Sequence, residues 1–329
     1  TRTDVRACNL SYLQTDWYID QMKRPYYESP ALPISWEYKD YMPSQNEIAW
    51  VENRLNAPLE VKKAFQFLRS DDPRTKRDGE NYIPTDQLYV LSPDGQPINF
   101  KKVRRLTRSE MMVMEMLSTN EWKRPMYFAT TVGSDYHLGL DPYLELTGMA
   151  YRITPTRSAD GRPRVNTEVM YDNMMNKFRY GNVNKPGIYL DENTLRMCRT
   201  HRMMFSELAE ALYEEGKHDK AIEVLDYAEE MLPGYNVSYD YTSASMAALY
   251  YTLGEMEKGN AIMTNVADNS VEYMEWGTTL EPASRKAAQS TLGHYSAVLG
   301  FVLNNLQRFE QKELFNKYFE LYNQYASVR

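Results

Sequence analysis

Apolar positions recur every three or four residues through the last third of the chain, whereas in the first half they cluster in short runs. Between His201 and Pro233, Leu208, Ala209 and Leu212 share one helix face, Gly216 interrupts it, and Ala221, Leu225 and Ala228 share the next. Small residues at facing positions let two antiparallel helices approach closely, the spacing of a tetratricopeptide repeat of about 34 residues. A second unit aligns on Gly254, with Met246, Ala247 and Tyr250 before it and Gly259 and Met263 after it. A third, degenerate unit runs from Ala287 to Tyr325, with Leu299, Val302 and Leu306 before its turn and Leu314, Tyr318 and Leu321 after it. Asp191 reads as the N-cap of the long helix that opens this region. The pattern predicts an all-α tetratricopeptide-like domain over residues 191–329, an architecture that binds partners.

The first half predicts an α/β domain over residues 1–190, a small, mostly parallel or mixed sheet with helices. Val5–Leu10 reads as a short buried strand. Thr15 caps a short helix carrying Trp17, Ile19 and Met22 that stops at Pro25, and Tyr26 to Pro43 is irregular. Pro58 opens a helix with Val61, Ala64, Phe65 and Leu68 on one face, ended by Asp71-Asp72-Pro73. Leu88–Leu91 and Ile98–Phe100 form a hairpin around Pro93-Asp94-Gly95. Thr107 and Glu110 make a capping box before a Met-rich helix with Met111, Met114 and Leu117, and Pro125–Thr130 is the next strand. Strand, helix and strand in that order predict a parallel crossover. Met149–Ile153 adds a strand, and a short helix follows near Met174–Phe178.

Composition narrows the function. The 329 residues carry a net charge of −7 without a basic block, which argues against a nucleic-acid partner. No apolar stretch approaches the ~20 residues that span a bilayer, and no signal peptide opens the chain. The first residues, Thr-Arg-Thr-Asp-Val, read as the start of a piece cut from a longer protein. Cys8 and Cys198 lie far apart, and whether they form a disulfide is not readable from the sequence. The 27 tyrosines read first as compositional bias and ordinary half-buried packing, with sugar-stacking surfaces as the alternative.

Chemistry-bearing motifs are sparse. His137, His201, His218 and His294 show no ligand spacing, and neither Cys-x-x-Cys, His-Glu-x-x-His, a glycine-rich phosphate loop nor a nucleophile elbow occurs. No metal and no cofactor is therefore expected. His218 reads as a helix cap beside Asp219, and Asp71-Asp72 as a helix terminator rather than a metal pair. His137, between Asp135 and Asp141, is a candidate ligand or acid–base group, or an ordinary solvated loop residue. One geometric argument gives a binding site. In open α/β sheets, ligands sit beyond the carboxyl ends of the strands. If Val5–Leu10 and Pro125–Thr130 are parallel neighbours, Ser11, Gln14, Thr131 and Ser134 converge there, and Trp17 and Tyr18 offer a stacking surface. The plainer alternative places Trp17 in the core.

Three segments carry a resemblance. They are Thr3–Gln21, Tyr82–Tyr89 and Ser118–Phe128, the last containing the specific run Asn-Glu-Trp-Lys-Arg-Pro-Met-Tyr-Phe. With Leu138–Pro155, Asn173–Arg196 and the repeat region, they resemble the C-terminal part of multi-spanning Bacteroidetes membrane proteins, a family of unknown function. The membrane half of that family is similar to GT-C glycosyltransferases. The resemblance implies a periplasmic location, tethered to the inner membrane through an absent N-terminal transmembrane region, with that membrane domain as one partner. It further implies recognition of an acceptor protein or glycan. The family's acidic motif and Trp-Tyr pair lie upstream of Thr1, so no catalytic residue carries over and this piece reads as non-catalytic. The alternatives are an envelope scaffold without a role in sugar transfer, or an α/β domain that is an enzyme by itself.

Overall fold

The computed structural model describes residues 3–41 and 48–325, in two compact units. The first comprises residues 1–146 and 150–164; the second comprises 147–149 and 165–329. In chain order the first contains helix α1 (Asp16–Met22), strands β1 (Ile48–Val51) and β2 (Leu59–Glu60), helix α2 (Val61–Leu68), and strands β3 (Lys76–Arg77), β4 (Glu80–Ile83), β5 (Leu88–Leu91), β6 (Pro97–Asn99) and β7 (Arg105–Thr107). Helix α3 (Arg108–Asn120) and strands β8 (Tyr127–Ala129), β9 (Leu144–Leu146) and β10 (Ala150–Ile153) follow, and β11 (Arg164–Val165) leads out of the unit.

The sheets are small and mixed, in the orders β3-β4-β1-β7, β11-β9-β10-β8 and β2-β5-β6. Two pairs are parallel, β1 with β4 and β2 with β5, and α2 lies in the crossover of both. The expected crossover through α3 is not formed. The strand that leads into α3, β7, pairs antiparallel with β1, whereas β8 pairs antiparallel with β10 in a separate sheet. Val5–Leu10 is not a strand. Its polar groups bond side chains and turns instead: the Asn9 amide donates to the Tyr18 hydroxyl at 2.8 Å, and the Ser11 amide to Asn9 Oδ1 at 2.9 Å. The helix expected to open at Pro58 starts at Val61, because Leu59 and Glu60 pair with Leu88 and Tyr89. From Tyr26 the chain is irregular to Tyr41, with one 3-10 turn at Tyr38–Tyr41; Met42 and Pro43 lie outside the described residues.

Helix α3 is the centre of this unit. The capping box is present, with Thr107 accepting from the Glu110 amide and Glu110 from the Thr107 amide. Met111, Met112, Val113, Met114, Met116 and Leu117 are all buried, as are Arg108, Ser109, Ser118 and Asn120, so the helix is buried nearly all round. Glu115 on the same helix accepts from the Ser35 amide and hydroxyl at 2.7 and 2.8 Å, and from the Tyr41 hydroxyl. Burial pushes its carboxyl above the usual carboxylate range. The Asn-Glu-Trp-Lys-Arg run ends α3. Glu121 and Trp122 both adopt left-handed backbone (φ +48° and +60°), each costing about 1–2 kcal/mol for a residue with a Cβ. Asn120 holds this reversal, its Nδ2 donating to the Arg124 carbonyl at 2.7 Å and its Oδ1 accepting from the Arg124 amide at 3.2 Å. Trp122 Nε1 donates to the Leu91 carbonyl at 2.8 Å and Arg124 to the Ala31 carbonyl at 2.8 Å.

The second unit is helical. It contains α4 (Thr167–Tyr171), a wide π turn at Asp172–Lys177, α5 (Glu192–Glu214), α6 (His218–Met231), α7 (Tyr241–Thr252), α8 (Met256–Thr279), α9 (Pro282–Ala287), α10 (Gln289–Arg308) and α11 (Lys312–Gln324). Asp191 caps α5 as expected, accepting from the Asn193 and Thr194 amides. Helices α5/α6, α7/α8 and α10/α11 pack as consecutive pairs, with α5 against α7 and α8 against α10. The three pairs turn alike. Lys217 N donates to Leu212 O, Glu255 N to Tyr250 O and Gln311 N to Leu306 O, at 2.8, 2.9 and 2.8 Å. A second bond in each joins Gly216 N to Tyr213 O, Gly254 N to Tyr251 O and Glu310 N to Gln307 O. These are Schellman turns. Between α7 and α8 the backbones come close: a Cβ on Gly259 would stand 2.5 Å from the Tyr251 ring and 3.0 Å from the Ala247 carbonyl. Arg202, wholly buried on α5, donates to the carbonyls of Leu232 (2.6 Å), Val237 (2.8 Å) and Ser238 (3.1 Å) and to Ser243 Oγ (3.1 Å). His218 does not cap α6; Lys217 stands at the N-cap, and the His218 ring stacks on Tyr213 at 5.0 Å.

Candidate functional site

The sequence Asp-Trp-Tyr-Ile-Asp-Gln-Met sorts itself into two faces once it is helical. Tyr18, Ile19 and Met22 are buried. Trp17, Asp20 and Gln21 recur at i, i+3 and i+4, so they line the opposite face, and Arg24, just past the end of the helix, continues that side. Trp17 is 57% exposed, which sets aside its reading as a core residue, while Tyr18 belongs to the core. Thr15 stands at the N-cap, yet its hydroxyl donates backwards to the Tyr12 carbonyl at 2.7 Å.

The facing wall comes from Arg6, Pro25 and Tyr26, and the two walls enclose a cleft of about 370 Å³. Tyr26 and Ser29 exchange backbone hydrogen bonds of 2.9 and 3.0 Å around Tyr27, whose φ is +51°, and this tight turn leaves the Tyr26 ring 51% exposed. Arg6 is fixed from two sides. Its Nη2 donates to the Gln21 carbonyl at 2.7 Å, and its guanidinium carbon stands 5.1 Å from the Tyr26 ring centroid. Neither Arg6 nor Arg24 has an acidic partner within ion-pair distance among the described residues, and Asp20 is the single acid lining the cleft. Next to it, burial pushes the Cys8 thiol up to about 11, against the pull of Arg6. Both cysteines are free.

The site predicted from strand polarity takes a different form. Ser11, Gln14, Trp17 and Tyr18 do form one local segment, with the rings of Tyr12, Trp17 and Tyr18 mutually in contact at 5.5 to 5.9 Å. Gln14, however, is tied to the first turn of α3: its Nε2 donates to Ser109 Oγ at 3.0 Å, and its carbonyl accepts from Arg108. Thr131 and Ser134 are exposed in the loop after β8, and the parallel strand pair that was to bring them to Ser11 and Gln14 is absent. Arg6, Asp20, Gln21, Arg24 and Tyr26 were not foreseen. The signal for four of the cleft residues was present in the polar spacing that starts at Trp17.

Two other candidates lie away from this cleft. His137 is not a solvated loop residue: it is 4% exposed, with Nδ1 2.9 Å from Asp141 Oδ1, Nε2 buried without a partner among the described residues, and its ring near Phe128 and Tyr151. Asp72 caps a 3-10 turn and pairs with Arg74, whose guanidinium and amide hold its carboxyl at about 2. Among the described residues no group of three His, Cys, Asp or Glu side chains is placed to hold a metal ion.

Among the described residues no helix is long and apolar enough to cross a membrane. No curated protein and no solved structure matches the chain. A family model does, over residues 1–94 and 94–170. With that match covering the whole first unit, running into the second and spanning just over half of the 329 residues, the chain belongs to the TMEM260-associated domain 2 family.

Proposed function

We propose that this chain is the periplasmic portion of a membrane glycosyltransferase-like protein of the Bacteroidetes type, tethered to the inner membrane by its own membrane domain. Its role is recognition of the acceptor protein or glycan, with GT-C-type chemistry performed by the membrane half. The observation that carries this reading is the family match over residues 1–170, to a domain named for its association with TMEM260. Two features support recognition rather than catalysis. The cleft along α1 offers an exposed indole and two unneutralised arginines without a nucleophile or acid–base pair. The second unit repeats one Schellman turn in three successive helix pairs, which we read as a tetratricopeptide-like stack that presents a surface to a partner.

The test is genetic. Deleting the full gene is expected to abolish a class of envelope glycoconjugates, with restoration only by versions of the gene that include residues 1–329. Intact glycans in the deletion strain, together with loss of an envelope complex in pull-downs, would instead establish the scaffold.

A further inference from the structure

Resting on the recognition role proposed for this cleft, we infer that it binds a sugar ring bearing an anionic group. Each wall contributes a separate requirement. The exposed indole of Trp17 and the half-exposed ring of Tyr26 offer apolar surface with polar neighbours, which suits a ligand with one CH-rich face. Asp20 is acceptor-only when ionised, so it selects hydroxyl donors, and the Gln21 amide can both donate and accept. Arg6 and Arg24 outnumber Asp20, so the cleft is locally cationic in a chain whose net charge is −7. Arginine is suited to carboxylate and phosphate. Hydroxyls, an apolar face and an anion on one small body describe an acidic or phosphorylated sugar.

The fixing of Arg6 sharpens the assignment. Its Nε and Nη1 are buried without a protein partner among the described residues, and its Nη2 is already spent on Gln21. Arg6 therefore supplies a stationary positive field from the wall of the cleft, while exposed Arg24 forms the direct ion pair. The volume of about 370 Å³ lies at the small end of ligand sites, the size of one or two sugar rings rather than a long chain.

Calorimetric titration of the purified 329-residue chain with glucuronate, glucose 6-phosphate, glucose, inorganic phosphate and uridine monophosphate tests the inference. Glucuronate or glucose 6-phosphate should saturate the cleft with a Kd below about 1 mM, and glucose should bind at least about tenfold more weakly. The comparison of the two anionic sugars tells carboxylate from phosphate. Arg24→Gln should remove the preference for the anion, and Trp17→Ala should weaken every sugar; both side chains are exposed, so both variants should melt as the parent does. Glucose binding as tightly as the acids, free phosphate as tightly as its sugar ester, tighter binding of the nucleotide, or no saturation at all would each overturn the inference. Should the titrations fail while Trp17→Ala still blocks glycan restoration in cells, the ligand class is wrong and the recognition role stands. Binding as expected, with normal restoration by Trp17→Ala, would leave the site and remove its role.

Discussion

Glu310 occupies in the turn between α10 and α11 the left-handed position that Gly254 occupies between α7 and α8, with φ of +57° against +87°. The two turns share their hydrogen bonds, so the third turn carries backbone strain that the second lacks. Replacing Glu310 by glycine should stabilise the chain by about 0.5–1 kcal/mol, and Gly254→Ala should destabilise it by about 1 kcal/mol. Urea unfolding of both variants measures the pair. A destabilised Glu310→Gly variant would show that the glutamate side chain is itself a needed contact.

Asn120 closes the reversal at Glu121 and Trp122 through both backbone groups of Arg124. Asn120→Ala should cost about 1–3 kcal/mol, since it removes both bonds from a strained turn. Asn120→Asp keeps the acceptor and loses the donor, so it should fall between the parent and the alanine variant in chemical unfolding. Equal effects of the two would assign the stability to side-chain packing.

Among the described residues Arg202 is a buried cation without an ion-pair partner; its two Nη atoms donate to three carbonyls and a hydroxyl while its Nε has no partner, and burial lowers its pKa. Arg202→Lys cannot reproduce the planar fork and should lose at least about 2 kcal/mol. Thermal unfolding is the readout, and a lysine variant as stable as the parent would mean the fork geometry is dispensable.

Glu229 shows a raised pKa from burial, although the Tyr239 hydroxyl donates to it. A carboxyl that binds its proton more tightly when folded stabilises the fold below its unfolded pKa, and that contribution is lost as pH rises through the raised value. Glu229→Gln removes the titration while keeping an oxygen for Tyr239. The stability difference, variant minus parent, should therefore grow between about pH 4 and about pH 7. Denaturation curves at the two pH values decide this, and a flat or shrinking difference would contradict the burial argument.

Legibility in the sequence followed the range of the interactions. Helix periodicity is local, and the paired helices around Gly216 and Gly254 are readable from i, i+3 and i+4 spacing alone. The third pair reads as degenerate because Glu310 stands where the eye expects glycine. The capping box at Thr107 and the hairpin at Leu88 are equally local. Strand pairing is not. Val5–Leu10 has β-prone residues yet joins none of the three sheets, and β8 pairs with β10 rather than with a strand that precedes α3. The site follows the same division: Thr131 and Ser134 depend on a strand pair that does not form, whereas the exposure of Trp17 follows from its helix. Arg6 escaped notice because its position depends on a turn at Tyr26 that no motif announces.

The acceptors gathered around Arg202 span residues 232 to 243, so a single guanidinium measures the length of that connection. Adding or removing a residue there would shift some of those oxygens out of reach and strand a charge in the interior. Divergent sequences on this scaffold should accordingly keep this linker at constant length for as long as they keep the arginine, and vary it only where an apolar residue has replaced it.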